Sequence, residues 1–179
     1  MYGVINQAIK KYVTTNYGAE KWSAVKSRCA ANVDFISDDQ PYNDEMIYKL
    51  AEAVAIEMQL PLDNVLSDFG ENVIKTTTER MDGFMDSRGS NLKEYLINLP
   101  NFHNRIMLIY PRLTPPEFQV SNIDENSINL HYISKTKGIR AFVKGYIKGL
   151  TYFFNEKVTI EPLQSISEAS RQEIFKISW

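Results

Sequence analysis

The chain has 179 residues, and 20 Lys plus Arg set against 22 Asp plus Glu leave a net charge of −2. That balance argues against a polyanion-binding role, which needs a marked basic excess. A single cysteine, Cys29, excludes an internal disulfide and a four-cysteine zinc site, and having only two histidines, His103 and His131, excludes a histidine-rich metal cluster. The opening residues show no basic region followed by an apolar run, and no stretch reaches the ~18–20 apolar residues of a bilayer span. The expectation is a cytoplasmic protein with no membrane segment.

In chain order, Val4, Ile5, Ala8, Ile9, Tyr12 and Val13 carry the spacing of an amphipathic helix that stops near Gly18. A shorter helix follows over Glu20 to Cys29, with Trp22 and Val25 inward. Asn43 is placed to cap a third, whose stripe is Met46, Ile47, Leu50, Ala51, Val54, Ala55 and Met58. Leu60-Pro61-Leu62 breaks it, and a fourth turns Val65, Leu66, Phe69, Val73 and Ile74 inward. Arg80 to Ser90 reads as a loop or short helix. Ser90 then opens a helix through Leu92, Tyr95, Leu96 and Leu99, which Pro100 is expected to kink or restart before Phe102 to Tyr110.

The periodicity changes after Pro111. Thr114-Pro115-Pro116 is a stiff extended connector. Phe118 to Val120 and Ile128 to Tyr132 alternate as paired strands do; Ala141 to Phe154 returns to helical spacing; Val158 to Ile160 and Ile174 to Ile177 supply two more strands. The fold class is therefore α+β: an N-terminal helical region of about residues 1–110, then a four-stranded antiparallel sheet with a packed helix over about 111–179, forming one domain.

Few residues carry chemistry. A phosphate loop, a nucleophile elbow and a zinc-protease motif are all missing, so an enzyme is not expected. Asp38-Asp39 and Asp44-Glu45 read as capping or solvated acids rather than a calcium site, because the EF-hand pattern is missing. Cys29 reads as a small buried apolar residue, and Lys135, Lys137 and Arg140 as a basic turn or a carboxylate contact. His103 differs. It shares a helical face with Leu99, Ile106, Met107 and Tyr110, where an imidazole either finds a partner within the core or serves as an axial metal ligand.

The chain resembles the heme-nitric oxide/oxygen-binding (H-NOX) family, stand-alone bacterial type, related to the heme domain of soluble guanylate cyclase. The resemblance is carried by Met1-Tyr2-Gly3-Val4-Ile5-Asn6, Leu99-Pro100-Asn101-Phe102-His103, Pro115-Pro116, Leu130-His131-Tyr132-Ile133-Ser134 and the terminal Ile174-Phe-Lys-Ile-Ser pattern, in that order. It implies heme b, iron protoporphyrin IX, held between the helical and sheet-containing parts. It implies His103 as the proximal iron ligand, Pro116 as a heme-distorting residue, and Leu99, Phe102 and Phe118 in the pocket wall. His131 then becomes an ordinary, partly solvated strand residue. The family's propionate clamp reads Tyr-x-Ser-x-Arg, whereas this chain has Tyr132, Ser134 and Thr136. Threonine keeps a hydroxyl but loses the forked guanidinium, so looser heme binding is expected.

Members that hold dioxygen use a distal tyrosine, and the matching residue here is Phe142, beside apolar Ile5, Ile9 and Val73. The resemblance therefore implies a nitric oxide sensor, with carbon monoxide as a further ligand, that excludes dioxygen. Tyr146, one turn after Phe142, either offers a hydroxyl to the ligand or packs with that hydroxyl bonded to backbone. Gly70 and Gly145, inside helices where glycine costs around 1 kcal/mol, mark close packing or, as the resemblance implies, hinges for helix rotation. Because the chain ends on the last strand, the expected partner acts in trans: a histidine kinase or a cyclic-dinucleotide enzyme, reached by weakening or cleavage of the histidine–iron bond. Nucleic acid and membrane are not expected partners. Two other readings stay open, a module for a non-heme apolar ligand and a protein-interaction adaptor.

Overall fold

A computed structural model of the chain describes residues 2–29, 44–80, 89–109, 117–134, 138–163 and 172–179, without the side chains of 2–6, 44, 80, 103, 106, 107 and 109. Six helices and four strands occur among the described residues: α1 Tyr2–Tyr17, α2 Ala19–Arg28, α3 Asp44–Met58, α4 Leu62–Arg80, α5 Leu92–Ile109, β1 Glu117–Ser121, β2 Ser127–Ile133, α6 Arg140–Phe154, β3 Thr159–Leu163 and β4 Gln172–Ser178. All strand pairs are antiparallel, in the order β1-β2-β4-β3. The α+β architecture is the expected one. Asn43, Asp38-Asp39, residues 81–88, Pro111, Thr114-Pro115-Pro116, Lys135, Thr136 and Lys137 lie outside the described residues.

The helices bury the stripes that their spacing foretells. Ala8, Ile9, Tyr12 and Val13 of α1 are buried, as are Trp22 and Val25 of α2, and Ile47, Leu50, Ala51 and Val54 of α3. Gly18 separates α1 from α2 at φ 90°, a left-handed turn that glycine adopts without Cβ strain. The charges of α2 suit its macrodipole, with Glu20 in the first turn and Lys26 and Arg28 in the last. Arg28 then reaches Glu57 through Nε and Nη2, 2.9 and 2.6 Å from one carboxylate oxygen, and ties α2 to α3. Tyr12 ties α1 to α4 by donating to Asp68 Oδ2 at 2.6 Å.

α5 departs from expectation in two ways. It runs unbroken through Pro100, which sits inside the helix. Proline removes one backbone donor and crowds the preceding turn; here Leu92, Tyr95, Leu96 and Leu99, all fully buried, hold the helix together across that defect. The first turn is capped by Asn91, whose Oδ1 accepts the Glu94 N–H at 2.8 Å, while Glu94 accepts from both the Ser90 N–H and hydroxyl at 2.8 Å. That reciprocal pattern is a capping box shifted by one residue.

Two helix backbones come into direct contact between α4 and α6. A Cβ on Gly70 would collide with the Phe142 carbonyl oxygen and stand 2.5 Å from Tyr146 N; one on Gly145 would collide with the Ser67 carbonyl oxygen and lie 2.7 Å from Ser67 Cα. Both glycines are therefore where two backbones touch. Gly149 continues the contact against Ile74 and Glu71, and Lys148 pairs with Glu71 at 2.7 Å. The helix in the sheet-containing half thus packs most intimately on α4, and it meets the sheet through Tyr146 and Phe118.

At the far end, Glu156 accepts the Leu92 N–H at 2.9 Å and the Trp179 indole N–H, joining the start of α5 to the end of β4. Because neither glycine side of the α4–α6 crossing has room for a methyl group, Gly145→Ala is expected to lower unfolding stability by about 1–3 kcal/mol or more, measured by urea denaturation. An exposed-helix glycine would instead gain stability on the same change.

Candidate functional site

Residues drawn from α1, α4, α5, α6, β1 and β2 meet in one apolar cluster. Ile9, Val73, Leu99, Phe118, Tyr132 and Phe142 are all buried members, and Tyr146 packs against it half-buried. Phe102 is half-buried on α5. Ile5 lies on α1 and His103 on α5, one turn after Leu99, but their side chains are outside what is described; Pro116 and Thr136 lie outside the described residues altogether.

β2 supplies the polar edge of this cluster. Its even residues Ile128, Leu130 and Tyr132 face inward, and Ser134 continues the same face just beyond the strand, 7 % exposed. Phe118 stands opposite Tyr132 in register, and their rings meet edge-on with centroids 5.2 Å apart. A tyrosine and a serine hydroxyl are thus carried on a buried surface two residues apart, a donor pair suited to carboxylate groups.

The second histidine is committed elsewhere. His131 faces the other side of β2, where its Nε2 is 2.7 Å from Ser121 Oγ on β1 and its Nδ1 is 2.7 Å from the Gln172 amide nitrogen on β4. An amide nitrogen only donates, so Nδ1 accepts, the ring is neutral, and Nε2–H donates to the serine. Burial holds the imidazole below its ordinary range. With both nitrogens engaged, His131 is a cross-strand tie.

The remaining sequence candidates take structural places. Glu45 pairs with Lys49 one turn on at 2.7 Å, and Arg140 pairs with Glu173 at 2.6 Å. The Cys29 thiol lies 3.8 Å from the Lys49 carbonyl, and burial pushes it above its usual range. No group of three metal-ligating side chains occurs among the described residues. A groove of about 590 Å³ between α1, α4 and α6 is bordered by Lys11, Asn16, Glu71 and Tyr152, and by none of the predicted site residues.

Tyr146 makes a contact that neither expectation named. Its hydroxyl is 2.9 Å from the hydroxyl of Tyr95 on α5. Sequence reading had Tyr95 on the inner stripe of α5 and gave it no further role; the only signal was a phenol on an otherwise aliphatic face. Tyr12 is a second such case. Its phenol is raised well above the ordinary range, by burial first and then by the hydrogen bonds to Asp68 and Tyr17, so it stays a donor.

The match to a family model decides the assignment: residues 2–162 fit the haem-NO-binding model. The chain belongs to the haem-NO-binding family. Among curated members, the soluble guanylate cyclase gcy-31 of Caenorhabditis elegans is 28% identical over 165 residues, covering 91% of this chain and 24% of the cyclase. The chain thus spans about a quarter of that relative's length. Among solved structures, an H-NOX protein from S. oneidensis in its Fe(II)NO state superposes with a TM-score of 0.84 at 16% identity, covering 98% of this chain and 97% of that one. An oxygen-binding H-NOX domain in its oxygen complex superposes at 0.79 with 18% identity, covering 99% and 94%. Both superpositions show that the chain has the H-NOX fold. Among the described residues no helix is long and apolar enough to cross a membrane.

The neutral state of His131 has a pH consequence. Its pKa in the folded chain lies below the ordinary 6.5, so the unfolded chain takes up its proton first. Stability is therefore full above that value, falls as pH drops through it, and levels off once the folded imidazole also protonates. Urea midpoints between pH 8 and 5 are expected to show this decline, and His131→Gln to flatten it.

Proposed function

We propose that residues 1–179 form a single heme-based gas sensor that binds nitric oxide, excludes dioxygen and signals to a partner in trans. The observation that carries this reading is that Ile9, Val73, Leu99, Phe118, Tyr132 and Phe142 are buried in one apolar cluster, with Ser134 buried just beyond Tyr132 on β2 and His103 one turn after Leu99 on α5. The residues fit heme b. A macrocycle needs apolar walls, a single axial imidazole and donors for its propionates, and this chain has each. Ferrous heme, when bound, supplies the iron at which nitric oxide, and carbon monoxide as a second gas, would be held.

The chain's own residues do the rest. His103 would be the residue that holds the iron, a reading supported by His131, which has both ring nitrogens engaged in the sheet. Pro116, Ile5 and Phe102 would line the group, and Tyr132, Ser134 and Thr136 would hold its carboxylates. Phe142 lacks a donor at the distal position. Dioxygen bound to iron carries partial negative charge and loses roughly 1–3 kcal/mol without a donor, whereas nitric oxide depends far less on one. Weakening or cleavage of a His103 tether would release α5, and rotation of the N-terminal helices against the sheet-containing half would report it. The partner is a histidine kinase or a cyclic-dinucleotide enzyme in the cytoplasm. The chain itself is read as non-catalytic.

The absorption spectrum of the reduced protein tests this. A Soret band that shifts with nitric oxide, persists as five-coordinate in air, and disappears in His103→Ala unless imidazole is supplied is the expected result. Colourless protein from heme-replete cells would overturn the reading and favour a module for another apolar ligand. Thr136→Arg is expected to slow heme loss to apomyoglobin by about tenfold, since a charge-assisted bidentate contact replaces a neutral one.

A further inference from the structure

Two tyrosines from different helices meet at the wall of the proposed pocket. Tyr95 of α5 is fully buried, with its ring edge-on to Phe154 at 5.7 Å. Tyr146 of α6 is half-buried, and its ring stands 6.3 Å from that of Phe118. The hydroxyls are 2.9 Å apart. Tyr146 follows Phe142 by one helical turn and so shares its face, which makes it the nearest phenol on α6 to the position where the distal donor is missing. α6 cannot slide to change this arrangement, because Gly145 and Gly70 hold its backbone against α4. Nor can Tyr95 swing freely within a packed core. One ring is a fixed post and the other is held to it.

We propose that Tyr95 is a positioning residue for ligand selectivity, acting through Tyr146. By engaging the Tyr146 hydroxyl across the α5–α6 junction, it keeps that hydroxyl from turning toward a diatomic ligand. This inference rests on the sensor reading above and deepens it: exclusion of dioxygen depends on where the Tyr146 donor is pointed as well as on the apolar Phe142. A hydroxyl carries one proton and two lone pairs. With Tyr95 reduced to phenylalanine, the Tyr146 hydroxyl loses a partner in partly buried surroundings, and a bound ligand with partial negative charge becomes a replacement acceptor.

The test compares the full chain with Tyr95→Phe, Tyr146→Phe and the double variant; Tyr95→Phe deletes a single oxygen, so the fold is retained. In the heme-free proteins, urea denaturation is expected to show non-additive losses, the double variant being no less stable than the weaker single. In the ferrous carbon monoxide complexes, the infrared C–O stretch of Tyr95→Phe is expected to fall as a donor reaches the ligand, while wild type, Tyr146→Phe and the double variant agree. Dioxygen affinity should rise about tenfold in Tyr95→Phe and return to the wild-type value in the double variant. Additive stabilities, an unmoved stretch in Tyr95→Phe, or a stretch that shifts in Tyr146→Phe alone would each overturn the proposal while leaving the sensor reading intact. A wild-type chain with no Soret band would overturn both.

Discussion

The α4–α6 crossing is the constraint on which the rest of the structure depends. Two helices can touch backbone to backbone only where neither carries a Cβ, and Gly70 and Gly145 meet that condition from opposite sides. The contact fixes the level of α6 relative to α4, and with it the positions of Phe142, Tyr146 and Val73 around one apolar volume. α1 is then fastened to α4 by the Tyr12–Asp68 hydrogen bond and by the exposed Lys11–Glu79 pair. The part-buried one contributes more than the exposed one, since a solvated ion pair contributes little. The site is thus assembled from elements distant in sequence because one pair of helices has a fixed register.

Much of the fold was legible from periodicity. The stripes of α1, α3 and α4 and the even-numbered face of β2 lie where the spacing placed them, because burial of one face is what creates such spacing. Pro100 does not restart the helix, although its missing N–H commonly marks such a break. A local rule about one lost donor was outweighed by four fully buried side chains on the same helix. Asn91 was overlooked as the cap because Ser90, its neighbour, satisfies the same composition rule and shares the Glu94 carboxylate.

The candidate site was less legible, and the reason is geometric. Periodicity assigns a residue to a face but says nothing of which other element that face meets. Nothing local to Tyr95 or Tyr146 signals that their hydroxyls, 51 residues apart in sequence, meet. Nor does any feature of His131 reveal that Ser121 and Gln172 flank it from two different strands. The pairing register brings both within reach, and register is a property of the assembled sheet. What sequence did supply was elimination: with so few imidazoles, showing that one is occupied narrows the choice for the other.

The Glu156 carboxylate gives α5 a mechanical character. One oxygen holds the N–H of Leu92 and the other the indole of Trp179, so the helix is moored at its first residue to the last strand of the sheet. His103 lies 11 residues further along, about 16 Å at the rise of an α-helix. A beam held at one end and pushed at the other turns about the fixed end, so a sideways displacement of about 1 Å at His103 becomes a tilt of about 4° over that length. Motion at the iron-ligand position would be returned as torque on Leu92, Glu156 and Trp179, where β4 ends. The clip that stabilises the end of the fold also makes α5 a lever with its fulcrum at the end of β4.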